Sequence, residues 1–228
     1  MTDVATSRSA VLDAAAHIAE MDECCEGRAS SDDWRLDPRS LSFLTCLVQR
    51  LQPEGVLEFG SGASTVVIGA AAAALPTPAT VVAIESDPVH HAGTAQLLRA
   101  EGLEDGVRLM PAHIVARRRR GRYVPTYEVD PTPGPDDDVL RAGWADLILV
   151  DGPPLPLGGR EGALHQALEA ARTGAVLVLD DSRRDSEREL LERLIAQFAS
   201  SVEGMNLLGF DKGLAVIILT STIEPEVR

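Results

Sequence analysis

Two kinds of apolar pattern alternate along most of the chain. Mostly apolar runs at residues 56–59, 80–85, 107–110, 145–150 and 175–179 have the length and composition of strands covered on both faces. Between them the apolar positions recur at helical spacing. Leu41, Leu44, Leu47, Val48 and Leu51 form one such stripe, Ala163, Leu164, Ala167, Leu168 and Ala171 a second, and Leu190, Leu191, Leu194 and Ile195 a third. An amphipathic helix is also expected over residues 9–20, through Val11, Leu12, Ala15, Ile18 and Ala19. Asp37-Pro38 and Asp87-Pro88 are start signals, an N-cap carboxylate followed by proline at the first helical position. Helices are therefore expected from Pro38, from Pro88 to Gly102, and over 66–75, 160–172 and 186–198. At the end of the chain, residues 205–210 and 214–220 flank Asp211-Lys212-Gly213, which favours a hairpin.

Strands alternating with helices imply an α/β fold: a single doubly wound, mostly parallel Rossmann-like sheet with helices on both faces, a C-terminal antiparallel strand and an N-terminal helical extension. The expected division is an extension over 1–52 and a Rossmann-like domain over 53–228. Residues 111–143 are polar and rich in proline; the pattern there supports only a short extended arm at 123–129. In parallel sheets of this kind ligands bind beyond the carboxyl ends of the strands. Four of the expected strands carry acids there, namely Glu58, Glu85, Asp151, and Asp180 with Asp181.

A formal charge of −14 disfavours a nucleic-acid backbone as partner. The run Arg117 to Arg120 with Arg122 is a local exception, read as a solvated loop that Glu128, Asp130 and Asp136 to Asp138 partly neutralise. Cys24, Cys25 and Cys46 offer neither a disulfide framework nor a zinc spacing. No segment has the length of a membrane span, residues 1–10 lack a signal-peptide core, and a cytoplasmic protein without a membrane partner is expected.

The most specific stretch is Val56-Leu57-Glu58-Phe59-Gly60-Ser61-Gly62-Ala63-Ser64-Thr65, a strand ending beside an acid and then turning on glycines. Glycine lets the backbone bend sharply and a ligand approach closely. A dinucleotide fingerprint needs glycine at position 65, where Thr65 stands, so NAD is disfavoured. A carboxylate before the turn suits a ligand carrying an ammonium group. Glu85 at the neighbouring strand tip suits the two hydroxyls of a ribose. S-adenosylmethionine has both features.

From residue 53 onward the chain resembles class I S-adenosylmethionine-dependent methyltransferases, on the stretch from Leu57 to Thr65, Glu85, and the strand ends at Asp151 and Asp180. The resemblance implies that Glu58, Gly60, Ser61, Gly62, Ser64 and Thr65 hold the methionyl part and ribose, Glu85 with Ser86 the ribose, and Ala112 and His113 the adenine edge. Asp151 also joins the cofactor contacts. Ser64 replaces the third glycine of the family pattern. Asp151, Asp180 and Asp181 further resemble the metal triad of cation-dependent O-methyltransferases of the catechol and macrolide-sugar type. That likeness implies Mg²⁺, Asp151 and Asp181 as catalytic residues, and a hydroxylated small-molecule acceptor.

Other readings stand beside it. The aspartates could be structural in a metal-independent methyltransferase, Asp181 capping the amides near Ser182 and Arg183, or the chain could bind the cofactor without catalysis. Asp151-Gly152-Pro153-Pro154 is similar to the Asp-Pro-Pro-aromatic signature of amino-methyltransferases, but Gly152 intervenes and Leu155 replaces the aromatic. The general base is left unassigned between His113 and His165. Arg160, Arg183 and Arg184 are candidates for an anionic substrate group, and Trp34 for a lid. The added N-terminal helices offer a surface for a homodimer.

Overall fold

The computed structural model describes residues 12–13, 36–119, 121–129, 143–210 and 212–223. The helix expected at 9–20 lies outside the described residues except for Leu12 and Asp13, which are helical, with Leu12 buried. Trp34, Cys24 and Cys25 also lie outside them.

Helix α1 (Pro38–Leu51) begins where Asp37 predicts. The Asp37 carboxylate accepts the amides of Arg39 at 2.9 Å and Ser40 at 3.1 Å, two of the donors that a helix start leaves unpaired. Strand β1 (Gly55–Phe59) follows, then α2 (Ala63–Ala73), β2 (Thr80–Glu85), α3 (Pro88–Ala100) and β3 (Val107–Pro111). Helix α2 starts earlier than the sequence pattern indicates. Thr65 does not precede the helix but sits in its first turn, its hydroxyl accepting the Gly62 amide at 2.9 Å. Helix α3 is capped as predicted, with Asp87 accepting the amides of Val89 and His90.

Residues 114–127, left without assignment by the sequence pattern except for the extended arm, form an antiparallel hairpin of β4 (Ile114–Arg119) and β5 (Arg122–Tyr127). Three of its arginines are compensated by ion pairs, Arg117 with Glu128, Arg119 with Glu169 and Arg122 with Glu161. Strand β6 (Ala145–Val150) leads through a 3₁₀ turn (Leu155–Leu157) to α4 (Glu161–Ala170), β7 (Ala171–Asp180), α5 (Asp185–Gln197), β8 (Val202–Leu208) and β9 (Leu214–Leu219). Helix α4 ends two residues before the expected Arg172, because Ala171 is already extended and pairs with Ala145 of β6.

The sheet order is β3-β2-β1-β6-β7-β9-β8, parallel through β7 and antiparallel at β9 and β8. Successive strand residues supply opposite cores. Leu57, Phe59, Ile84, Ile148, Val150, Leu177 and Leu179 join α4 and α5 on one face. Val56, Val81, Leu147, Leu149, Val176 and Val178 join α1, α2 and α3 on the other. Each fully buried side chain of this kind contributes about 1.5–3 kcal/mol. Chain order reverses between β1 and β6, so the connections that leave their carboxyl ends run to helices on opposite faces of the sheet and leave a crevice above the paired strand tips. Below that crevice the Asp151 amide donates to the Phe59 carbonyl at 2.9 Å, tying β6 to β1, and the Gly60 amide donates to the Ile84 carbonyl at 2.9 Å, tying β1 to β2. Among the described residues no helix is long and apolar enough to cross a membrane.

Candidate active site

A cavity of about 280 Å³ lies at the switch point, lined by residues from each neighbouring strand end. Gly60 and Ser61 come from β1, Glu85, Ser86 and Asp87 from β2, His90 from α3 and Tyr127 from β5. Asp151, Gly152, Pro154 and Leu157 follow β6, Arg160 precedes α4, Asp181 and Arg184 follow β7, and Lys212 joins β8 to β9.

The glycine turn is built for close approach. Gly60 has φ +97°, which side chains rarely adopt, and a Cβ there would stand 3.2 Å from the Gly152 amide nitrogen. Beyond the turn, the Glu85 carboxylate organises the cavity wall. One oxygen accepts the Ser61 amide at 2.8 Å and its hydroxyl at 3.2 Å; the other accepts the amides of Ser86 at 2.7 Å and Asp87 at 2.8 Å.

Glu58 lies beneath this turn, fully buried and away from the cavity lining. Its Oε1 accepts the Ser64 hydroxyl at 2.5 Å, while Oε2 has no hydrogen-bond partner among the described residues. Burial pushes the Glu58 carboxyl up to about 7, against the lowering effect of Ser64 and Thr65. Folded Glu58 thus keeps a proton that the unfolded chain releases near 4.5, and stability falls as pH rises between those values. Glu58→Gln is expected to remove that fall, gaining on the order of 3 kcal/mol over the wild type at pH 8 and nothing at pH 4. Urea unfolding of both proteins at the two pH values measures it. A constant difference between them would contradict the buried-carboxyl account.

The three aspartates are brought together: Asp151, Asp180 and Asp181 each offer an oxygen within 4.8 Å of the others. Asp181 has φ +60°, a left-handed conformation that aims its carboxylate back at this cluster. A hydrogen bond links the Asp151 and Asp180 carboxyls. Burial, then the charges of Asp151 and Asp181, push Asp180 up to about 9, so it holds a proton at neutral pH and donates to Asp151. Burial also raises Asp151, with Arg160 pulling the other way.

Arg160 occupies the middle of the cluster. Its Nη2 donates to Asp181 Oδ2 at 2.7 Å and to Asp151 Oδ1 and the Asp151 carbonyl at 3.0 Å each, and lies 3.9 Å from Asp180 Oδ2. Its Nη1 donates to Glu187 Oε1 at 3.3 Å. Burial opposes the Arg160 charge, but Asp151, Asp181 and Asp180 outweigh it and hold the guanidinium above its ordinary range. Arg184, from the exposed side, pairs with Asp181 at 2.8 Å.

Of the residues predicted from the sequence, the structure gathers Gly60, Ser61, Glu85, Ser86, Asp151 and Asp181 around one cavity. Glu58, Ser64, Thr65 and Asp180 lie buried behind its wall. Gly62, Ala112 and His113 do not line it; His113 is exposed, and His165 sits on α4 outside the lining. Arg183 donates to the Gly209 carbonyl and also lies outside. Tyr127, His90 and Lys212 also line the cavity, although the sequence pattern marks none of them as a site residue. Tyr127 is 2% exposed, packs its ring at a tilt against Phe59 with centroids 5.5 Å apart, and has its hydroxyl pushed up by burial. Its only signal was its place in the extended arm.

No family model and no curated protein matches the sequence. Solved structures do. The O-methyltransferase TomG from Streptomyces achromogenes, involved in tomaymycin synthesis and solved with SAM, superposes with TM-score 0.60 at 20% identity, covering 92% of this chain and 90% of that one. The chain has the Rossmann-like fold of methyltransferases. An O-methyltransferase from Bacillus cereus in complex with SAH gives TM-score 0.59 at 18% identity, with 94% and 90% covered. A SAH-bound methyltransferase from Podospora anserina gives 0.58 at 17%, with 91% and 86% covered. Within this methyltransferase fold the cavity lies where a parallel sheet places its ligands.

Proposed function

We propose that the protein is a S-adenosylmethionine-dependent O-methyltransferase acting on a hydroxylated small molecule. The observation that carries this reading is the meeting of the Gly60 turn, the Glu85 carboxylate and Asp151 at one crevice of a methyltransferase fold. The cofactor suits these groups. The Ser61 hydroxyl, which also lies 3.0 Å from Thr94 Oγ1, can give up its 3.2 Å bond to Glu85 and free that oxygen for a ribose hydroxyl, and the glycine turn leaves room for close approach.

When bound, S-adenosylmethionine supplies an electrophilic methyl group on a sulfonium. The chain must then align an acceptor oxygen and take its proton. Asp151 is the base in this reading, because it lines the cavity and because burial lifts its carboxyl towards the range where a base is effective. Asp180 and Arg160 each donate to Asp151 and fix its orientation. Asp181 holds Arg160 from the other side. Pro154, Leu157 and Tyr127 give the cavity an apolar wall for an acceptor to pack against, and Arg184 and Lys212 at its margin suit an acceptor carrying an acidic group.

Three hard carboxylates are the donor set of a Mg²⁺ site, but here a guanidinium stands among them. The arrangement does not fit a metal, and of the two readings drawn from the sequence the metal-independent one is favoured.

Transfer of a labelled methyl group from S-adenosylmethionine to a panel of hydroxylated small molecules, with products located by mass spectrometry, tests the assignment. An oxygen-linked label is expected. Label found only on nitrogen acceptors, or cofactor bound without transfer to any acceptor, would contradict it.

A further inference from the structure

We infer that Arg160 is a built-in cation that takes the place of a divalent metal in the aspartate triad and excludes one from it. A metal held by carboxylates would sit about 2.0–2.1 Å from their oxygens, inside the hollow that the three share. Arg160 Nη2 already fills that hollow, 2.7, 3.0 and 3.9 Å from an oxygen of Asp181, Asp151 and Asp180. Two cations cannot share a space whose ligand atoms all lie within 4.8 Å of one another.

A second feature shows that the guanidinium is held there and does not merely drift in. Glu187, in the first turn of α5, is 2% exposed, and its Oε1 accepts Arg160 Nη1 from the side away from the triad. Ser186 donates to the other Glu187 oxygen. Burying a charged carboxylate is costly unless it is paired, and Glu187 is not one of the three groups that share the hollow, so its partner is the guanidinium and not an ion held there. The backbone adds a further restraint: Arg160 immediately precedes α4, its carbonyl accepts the Leu164 amide at 2.9 Å, and its side chain is 3% exposed. The triad and Glu187 therefore form one four-carboxylate cage around a single guanidinium. Arg160 is a positioning residue, acting on the reaction through Asp151.

The inference deepens the methyltransferase reading and rests on it for the role of Asp151, but metal exclusion is measured without turnover. Mn²⁺ is titrated into wild type, Arg160→Ala and Arg160→Ala/Asp151→Asn, with bound ion followed by electron paramagnetic resonance and folding checked by circular dichroism. The wild type is expected to leave the Mn²⁺ signal unchanged. Arg160→Ala is expected to bind one ion about tenfold or more tightly than wild type, and the double variant to lose it. Binding of Mn²⁺ to the wild type that Asp151→Asn abolishes would overturn the inference, and this arm needs no Arg160 variant to fold. A folded Arg160→Ala that binds no ion would overturn it as well. Failure of the methyltransferase reading shows separately, as absence of S-adenosylhomocysteine binding by the same wild-type sample.

Discussion

Asp151→Asn is expected to lower kcat by about 10²–10⁴-fold, the range set by loss of a positioned general base. Asparagine keeps the volume and retains an oxygen for Arg160, so the change removes the basicity of the group and little else. The backbone bond from the Asp151 amide to the Phe59 carbonyl, which ties β6 to β1, is untouched. Arg160 keeps Asp181 and Glu187, so the loss of stability should stay below the about 3–5 kcal/mol typical of a buried pair broken outright. Binding of S-adenosylhomocysteine should change by less than about tenfold, or 1.4 kcal/mol. Turnover and calorimetry on the same preparation separate the two effects. Undiminished kcat would mean that the acceptor proton leaves by another route and that Asp151 serves only its ion pair.

Glu85→Ala should act on the other half of the site. The carboxylate accepts four hydrogen bonds, from the Ser61 amide and hydroxyl and from the Ser86 and Asp87 amides. Its removal therefore loosens the β1 turn and the entry to α3 together. It also removes the acceptor proposed for the ribose hydroxyls. A hydrogen bond to a charged group contributes about 1.5–3 kcal/mol, so loss of the ribose bond weakens S-adenosylhomocysteine binding by roughly 10–10²-fold. Glu85→Gln, which keeps one acceptor oxygen, should fall between the wild type and the alanine variant. Equal affinity in all three proteins would remove Glu85 from the cofactor contacts.

Where the sequence was legible, the signals were local. Asp37-Pro38 and Asp87-Pro88 fixed two helix starts because each cap is made by a side chain to amides two and three residues on. The strands β1, β2 and β6 were visible because they are buried on both faces and hold no polar residue to break the run until the tip, apart from Glu58 and Asp146. The acids at those tips then pointed to the crevice. What stayed hidden depends on distant partners. The β4–β5 hairpin reads as a charged loop until Glu161 and Glu169 of α4 are seen to meet its arginines. Arg160 is one arginine at a helix start, with nothing in its neighbourhood to say that four carboxylates converge on it. Nor can the pattern Asp180-Asp181 reveal that one carboxyl holds a proton and the other a charge partner, since that follows from burial and from Asp151. His113, expected beside adenine from the family likeness, is exposed and off the cavity because the chain turns there into β4.

Calorimetric titration of the wild-type protein with S-adenosylhomocysteine, in the presence of a chelator, tests the account most directly. One molecule bound per chain, with affinity unchanged when the chelator is replaced by Mg²⁺, is the predicted result. Absence of binding at millimolar ligand, or binding that appears only when Mg²⁺ is supplied, would contradict it.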